Sequence, residues 1–65
     1  MAADHKTETG VLEQHYKWFF VRTKAGHRWR IEGDQRRFEY LRGMSVEVPG
    51  PVVRGTIIVE GIRPT

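Results

Sequence analysis

Aromatic and basic residues are interleaved in the segment KWFFVRTKAGHRWR, which spans residues 17–30. Aromatic rings on an exposed sheet stack on nucleobases, and each stacked base contributes about 1–3 kcal/mol to binding. Arginine and lysine side chains beside such rings contact the phosphates of the same strand. The residue types in this segment therefore indicate a surface for single-stranded DNA or RNA.

The face on which each of these side chains lies depends on the turn at residues 24–26, KAG. A turn of three residues that ends at Gly26 places Val21 opposite Trp29. A turn of two residues, Ala25 and Gly26, would exchange the inner and outer faces of the preceding strand. We favour the three-residue turn, because Ala25 is then spared the positive φ that a type I′ turn requires.

This register predicts a core face and an outer face. The core face carries Phe19, Val21, Trp29 and Ile31, and the outer face carries Trp18, Phe20, Arg22, Arg28, Arg30 and Glu32. The predicted nucleic-acid-binding residues are Trp18, Phe20, Arg22, Lys24, Arg28 and Arg30, with Lys17 as a further candidate. The two aromatic rings would be stacking platforms, and the cations would contact the phosphate backbone.

Two other interpretations of the outer face stay open. Arginine stems that cover aromatic rings are also ordinary cross-strand pairs, which stabilise a sheet by up to about 1 kcal/mol each. In that case Glu32 would pair with an arginine. An apolar patch on a small domain is also typical of a protein interface, so Trp18 and Phe20 could contact a protein partner or a second copy.

The elements that position these side chains are short and mostly strands. Residues 1–9 are polar and aperiodic, which predicts a disordered tail before a domain over residues 10–65. Strands are predicted at residues 11–16, 17–23 and 27–33. A helix follows over residues 35–42, because Asp34 suits its N-cap and Gly43 suits a left-handed residue at its end.

The remainder of the chain predicts two further strands. Met44, Val46 and Val48 alternate toward the core, whereas Pro49 and Pro51 each lack a backbone donor and predict an edge, bulge or turn. A last strand, TIIVE, follows a return at residues 54–55, and a bulge at residue 61 would turn residue 62 back toward the core. The fold class is therefore all-β with one short helix between strands 3 and 4.

Five short strands with a helix between the third and fourth have the topology of an OB-fold barrel. The chain resembles very small bacterial families with a single OB-fold domain, through TGVLEQ, the KAG hairpin with RWRIEGD, and the helix ending YLRG. MSVEVPGPV before TIIVEGI completes the resemblance, which covers about residues 9–63. It implies a five-stranded OB-fold-like barrel and no assigned activity. An SH3-like barrel is the alternative fold.

Composition limits the classes of function. The chain has 65 residues, no cysteine and a formal net charge of +3, which favours anionic partners weakly. The spacing of His5, His15 and His27 does not suit a metal site, and no set of side chains suggests acid/base or nucleophilic catalysis. We expect a cytoplasmic binding module that is not an enzyme, has no cofactor and does not contact membranes.

Overall fold

The computed structural model describes residues 4–65. Its elements in chain order are β1 (Asp4–His15), β2 (Trp18–Arg22), β3 (Arg28–Glu32), α1 (Gln35–Leu41), β4 (Ser45–Val53), β5 (Thr56–Ile58) and β6 (Arg63–Pro64). The chain is mostly β-strand with one short helix between the third and fourth strands, as the sequence predicts.

Five strands form a closed sheet in the order β1-β2-β3-β5-β4. The sheet closes because the C-terminal half of β1 pairs with β2, while residues 4–11 of the same strand pair with β4. Strands β3 and β5 are parallel, and the other four contacts of the closed sheet are antiparallel. The short β6 adds to β4 outside this ring.

The N-terminal strand corrects the prediction of a disordered tail at residues 1–9. Residues 4–9 form the first half of β1, and they pair with β4 from Asp4 opposite Val52 to Thr9 opposite Glu47. Nearly all of their side chains are exposed, so no alternation of polar and apolar residues marks the strand in the sequence. Hydrogen bonding to β4 orders this segment instead. Residues 1–3 lie outside the described residues.

The two prolines of β4 do not interrupt the strand. In an antiparallel pair, alternate residues direct their backbone groups to the same neighbour. The N–H of Leu12 in β1 donates to the carbonyl of Met44, the residue just before β4. By alternation, the even-numbered residues of β4 also form their hydrogen bonds with β1. The carbonyl of Pro49 accepts from the N–H of Glu60 on the opposite side. The missing donors of Pro49 and Pro51 therefore face away from β1, and β4 continues to Val53.

The core lies inside the closed sheet and beneath the helix. Its buried residues are Leu12, Phe19, Val21, Ile31, Phe38, Leu41, Val46, Val48, Ile57 and Ile62. Phe38 of α1 packs edge-on against Phe19 of β2, with ring centroids 5.3 Å apart. The prediction that Met44 points inward is wrong, because its backbone N–H still bonds to Leu41 and its side chain stays exposed.

The ends of α1 follow the sequence signals. The carboxylate of Asp34 accepts a hydrogen bond of 3.1 Å from the N–H of Arg36, which satisfies one free donor of the first turn. Gly43 follows the helix with φ +86°, a conformation that glycine adopts without the strain of a side chain. The helix thus starts and stops where a cap and a glycine allow it.

Candidate functional site

The hairpin between β2 and β3 has the three-residue turn that the sequence favours. The N–H of Thr23 donates to the carbonyl of His27, and the N–H of Gly26 donates to the carbonyl of Thr23, each at 2.9 Å. Gly26 has φ +84°. Val21 lies opposite Trp29, so the register with a two-residue turn is wrong. The inner and outer faces of both strands follow from this register.

Five of the six predicted binding residues share the outer face, opposite the buried side chains of the same strands. They are Trp18, Phe20, Arg22, Arg28 and Arg30. The sixth, Lys24, lies in the exposed turn beyond the ends of the strands. Trp29 is partly buried and packs against the core. We call the five outer-face residues, together with Lys17 and Lys24, the aromatic-basic face.

Trp18 is the most exposed aromatic residue of this face, with 40% of its surface accessible. The guanidinium carbon of Arg30 lies 3.9 Å from the centre of its ring, and the ammonium of Lys17 lies 5.0 Å from the same centre. Cations at these distances are attracted by the electron-rich face of an indole. The ring is therefore held beside two positive charges while part of it stays accessible.

Phe20 lies next to this pair and is less exposed. It stands opposite Arg30 on β3 and opposite Glu13 on β1. The ring of His15 meets it edge-on, with ring centroids 5.6 Å apart. Phe20 therefore offers a smaller apolar surface than Trp18, at the centre of the aromatic-basic face.

Glu13 of β1 joins two of the predicted arginines. Its carboxylate accepts from Nε of Arg22 at 2.8 Å and from Nε of Arg28 at 3.1 Å. The hydrogen bond from Arg22 is the main cause that lowers the pKa of Glu13 below its usual 4.5; partial burial opposes the shift and Arg28 adds to it. Within residues 4–65 both arginines donate only through Nε, so their terminal nitrogens remain available.

Arg30 is held differently from the other two arginines. One terminal nitrogen lies 3.4 Å from the carboxylate of Glu32, a pairing expected where the arginines of this face form ordinary stabilising pairs. The Nε of Arg30 is buried and has no hydrogen-bond partner among the described residues. Stacking on Trp18 is thus the main contact that positions this guanidinium.

Positive charge exceeds negative charge on the aromatic-basic face. Five cationic side chains lie there, and the neighbouring carboxylates are those of Glu13 and Glu32. The excess of three equals the formal net charge of the whole chain. Among residues 4–65, neither Lys17 nor Lys24 has a carboxylate within 4.0 Å. Both ammonium groups are therefore free to meet an anion.

Sequence reasoning missed the role of Glu13. The position of the turn at Tyr16 and Lys17 could have revealed this role. A two-residue turn there places Glu13 opposite Phe20 and beside Arg22. The imperfect alternation of residues 11–16 obscured this register.

A comparison with models of protein families shows the family of the chain. A family described as "Protein of unknown function (DUF5818)" matches residues 9–65. The chain belongs to the DUF5818 family. The matched range includes every residue of the aromatic-basic face and most of the closed sheet. No curated protein and no solved structure matches this DUF5818 chain significantly.

Two further observations concern membranes and metals. Over the described part of the DUF5818 chain, no helix is both long and apolar enough to cross a membrane. In the same residues, no three or more histidine, aspartate and glutamate side chains come together as ligands for a metal ion.

Proposed function

We propose that this DUF5818 chain is an OB-fold module that binds single-stranded nucleic acid, weakly and with little sequence preference, and that it is not an enzyme. Support for the OB-fold comes from the closed sheet of five strands and from the helix between the third and fourth strands. In OB-folds the outer face of strands 2 and 3 is a common site for oligonucleotides. The aromatic-basic face occupies that position.

One observation carries the proposal: Trp18 is partly accessible and lies beside the charges of Arg30 and Lys17. A base that stacks on the accessible part of the indole brings its phosphates close to those charges. Stacking does not depend on base identity, because every base has a π face. The proposed binding is therefore tolerant of sequence.

The remaining cations define the path of the sugar-phosphate backbone of the bound strand. Lys17 and Lys24 lie beyond opposite ends of β2, and Arg22 and Arg28 lie opposite each other at the end of the strands nearest the turn. Glu13 fixes both arginines through Nε, so that their outer nitrogens are preorganised for phosphate oxygens. The same carboxylate weakens the local positive field, which agrees with weak rather than tight binding.

Fluorescence anisotropy of a labelled oligothymidylate tests the proposal. We expect binding at about 50 mM salt, and a large loss of affinity at about 200 mM salt because counterions compete for the phosphates. Replacement of Trp18 by alanine should cost about 1–3 kcal/mol of binding free energy. Absence of binding by the wild-type chain at the lower salt concentration would contradict the proposal.

Two variants serve as matched controls for the oligonucleotide measurement. Tyr40→Ala removes an exposed aromatic ring from α1, and Arg36→Ala removes an exposed cation from the same helix. Neither side chain lies on the aromatic-basic face, so both variants should bind as the wild type does. Arg28→Ala should weaken binding and reduce its salt dependence, since one phosphate contact is removed.

A further inference from the structure

Strand β1 has a free edge in its N-terminal half. Its even-numbered residues bond to β4, so the backbone groups of His5, Thr7 and Thr9 point to the opposite edge. Pairing with β2 begins only at Val11. Within residues 4–65 no strand pairs with this edge. Three donors and three acceptors are therefore available for an additional strand.

A groove runs along the same edge. This open groove has a volume of about 990 Å³ between residues 7–11 of β1 and residues 22–27 of the hairpin, and Trp29 also lines it. The ring of Trp29 contacts His27 edge-on at 4.8 Å, and the ammonium of Lys6 lies 5.4 Å from its centre. The chain thus has space beside the free edge for an extended segment.

We propose that a second copy of this chain occupies the groove, and that the two β1 strands pair antiparallel about a two-fold axis at Thr7. Residues with free backbone groups must face each other in such a pair. The axis at Thr7 meets this condition, because Thr7 faces the partner's Thr7 and His5 faces the partner's Thr9. Lys6 then lies opposite the partner's Glu8, and the symmetry repeats this pair of opposite charges.

Side-chain charges favour this register over the two adjacent registers of the β1 pair. The hydrogen-bond pattern permits shifts of two residues, which move the two-fold axis to Lys6 or to Glu8. An axis at Lys6 places two lysines opposite each other and places Asp4 opposite a glutamate. An axis at Glu8 places two glutamates opposite each other. Like charges directly opposite each other destabilise a sheet, so the axis at Thr7 is the favourable one.

The predicted dimer is weak, and its groove shares only Arg22 and Lys24 with the aromatic-basic face. The shared edge comprises about six residues on each chain, fewer than the 20–30 residues of a standard stable interface. Dimerisation should therefore depend on protein concentration. It leaves Trp18 and Phe20 accessible, so it does not depend on the proposed binding of nucleic acid.

Disulfide trapping tests the register directly. The chain has no cysteine, so one introduced thiol can only cross-link two molecules. In the proposed dimer the Cα atoms of the two Thr7 residues lie about 5.5 Å apart, a separation that a disulfide spans. Thr7→Cys should form a covalent dimer under mild oxidation. Thr9→Cys is the control, since its partner position lies four residues away, at roughly 13 Å.

Sedimentation analysis of charge variants, without nucleic acid, provides a second test. Lys6→Glu and Glu8→Lys should each weaken dimerisation, whereas the double variant should restore it. All three change exposed or half-buried surface positions, so the fold should persist. A wild-type monomer up to about 1 mM would overturn the proposal. So would equal trapping of Thr7→Cys and Thr9→Cys, or loss of the dimer in Trp18→Ala, which would assign the contact to the aromatic-basic face.

Discussion

Glu13 has the widest influence of any single residue on the aromatic-basic face. It sets the direction of two guanidinium groups at once, because each donates through Nε to a different carboxylate oxygen. Arg22 and Arg28 lie opposite each other on β2 and β3, where like charges would repel. The carboxylate between them offsets that repulsion, so it stabilises the hairpin as well as orienting it.

The lowered pKa of Glu13 predicts a pH dependence. Because the folded state favours the charged carboxylate, this group stabilises the fold above its usual pKa of 4.5, and the contribution is lost as the pH falls through the lowered folded value. Glu13→Gln should therefore reduce the urea midpoint at about pH 7, and this difference should shrink at about pH 3. A difference that is the same at both pH values would contradict this account.

At the scale of elements, β1 and the hairpin approach each other closely at Gly10. A Cβ atom at this position would overlap the backbone carbonyl of Arg22 and crowd the side chain of Val21. Gly10 therefore lets β1 pass from its partner β4 to its partner β2. Gly26 differs, because its surroundings are open and only its positive φ disfavours a side chain.

Alanine substitution at these two glycines should reduce the unfolding free energy by different amounts. Gly26→Ala should cost about 1–2 kcal/mol of unfolding free energy, which is the cost of a left-handed conformation for an ordinary residue. Gly10→Ala should cost about 3 kcal/mol or more, because backbone atoms must move. Urea denaturation of both variants measures the difference. A smaller loss for Gly10→Ala than for Gly26→Ala would contradict the close approach of Gly10 to the backbone of Arg22.

Local sequence signals predicted the hairpin and the helix. The features that the sequence analysis missed depend on contacts between distant parts of the chain. Gly26 and the alternation of large apolar residues determined the hairpin register, and Asp34 and Gly43 marked the helix ends. The N-terminal half of β1 had no such signal, because its side chains are polar on both faces and its partner lies about 40 residues away. Glu13 was missed for a related reason, since its contacts depend on three strands.

At the scale of the whole molecule, the core is small and depends on few side chains. A chain of 65 residues is expected to have an unfolding free energy of roughly 3–10 kcal/mol. Phe38 is among the largest fully buried side chains, and it connects α1 to the sheet through Phe19. The stability of the helix and that of the closed sheet are therefore coupled.

Removal of that aromatic ring should have a large effect. Phe38→Ala should reduce the unfolding free energy by about 3–5 kcal/mol, since it removes buried surface and leaves a cavity. Thermal denaturation followed by circular dichroism measures the loss, and Tyr40→Ala on the exposed side of the helix should change stability by less than about 0.5 kcal/mol. Similar Tm values for Phe38→Ala and the wild type would contradict this assignment of the core.

The aromatic-basic face is tested most directly by amide chemical shifts during titration with a short oligothymidylate at about 50 mM salt. We predict that the largest shifts occur on β2, on β3 and at the turn between them, together with the indole N–H of Trp18. The exposed side of α1, which carries Arg36 and Tyr40, should change little. No shifts at this salt concentration, or shifts confined to the helix, would contradict the proposed function.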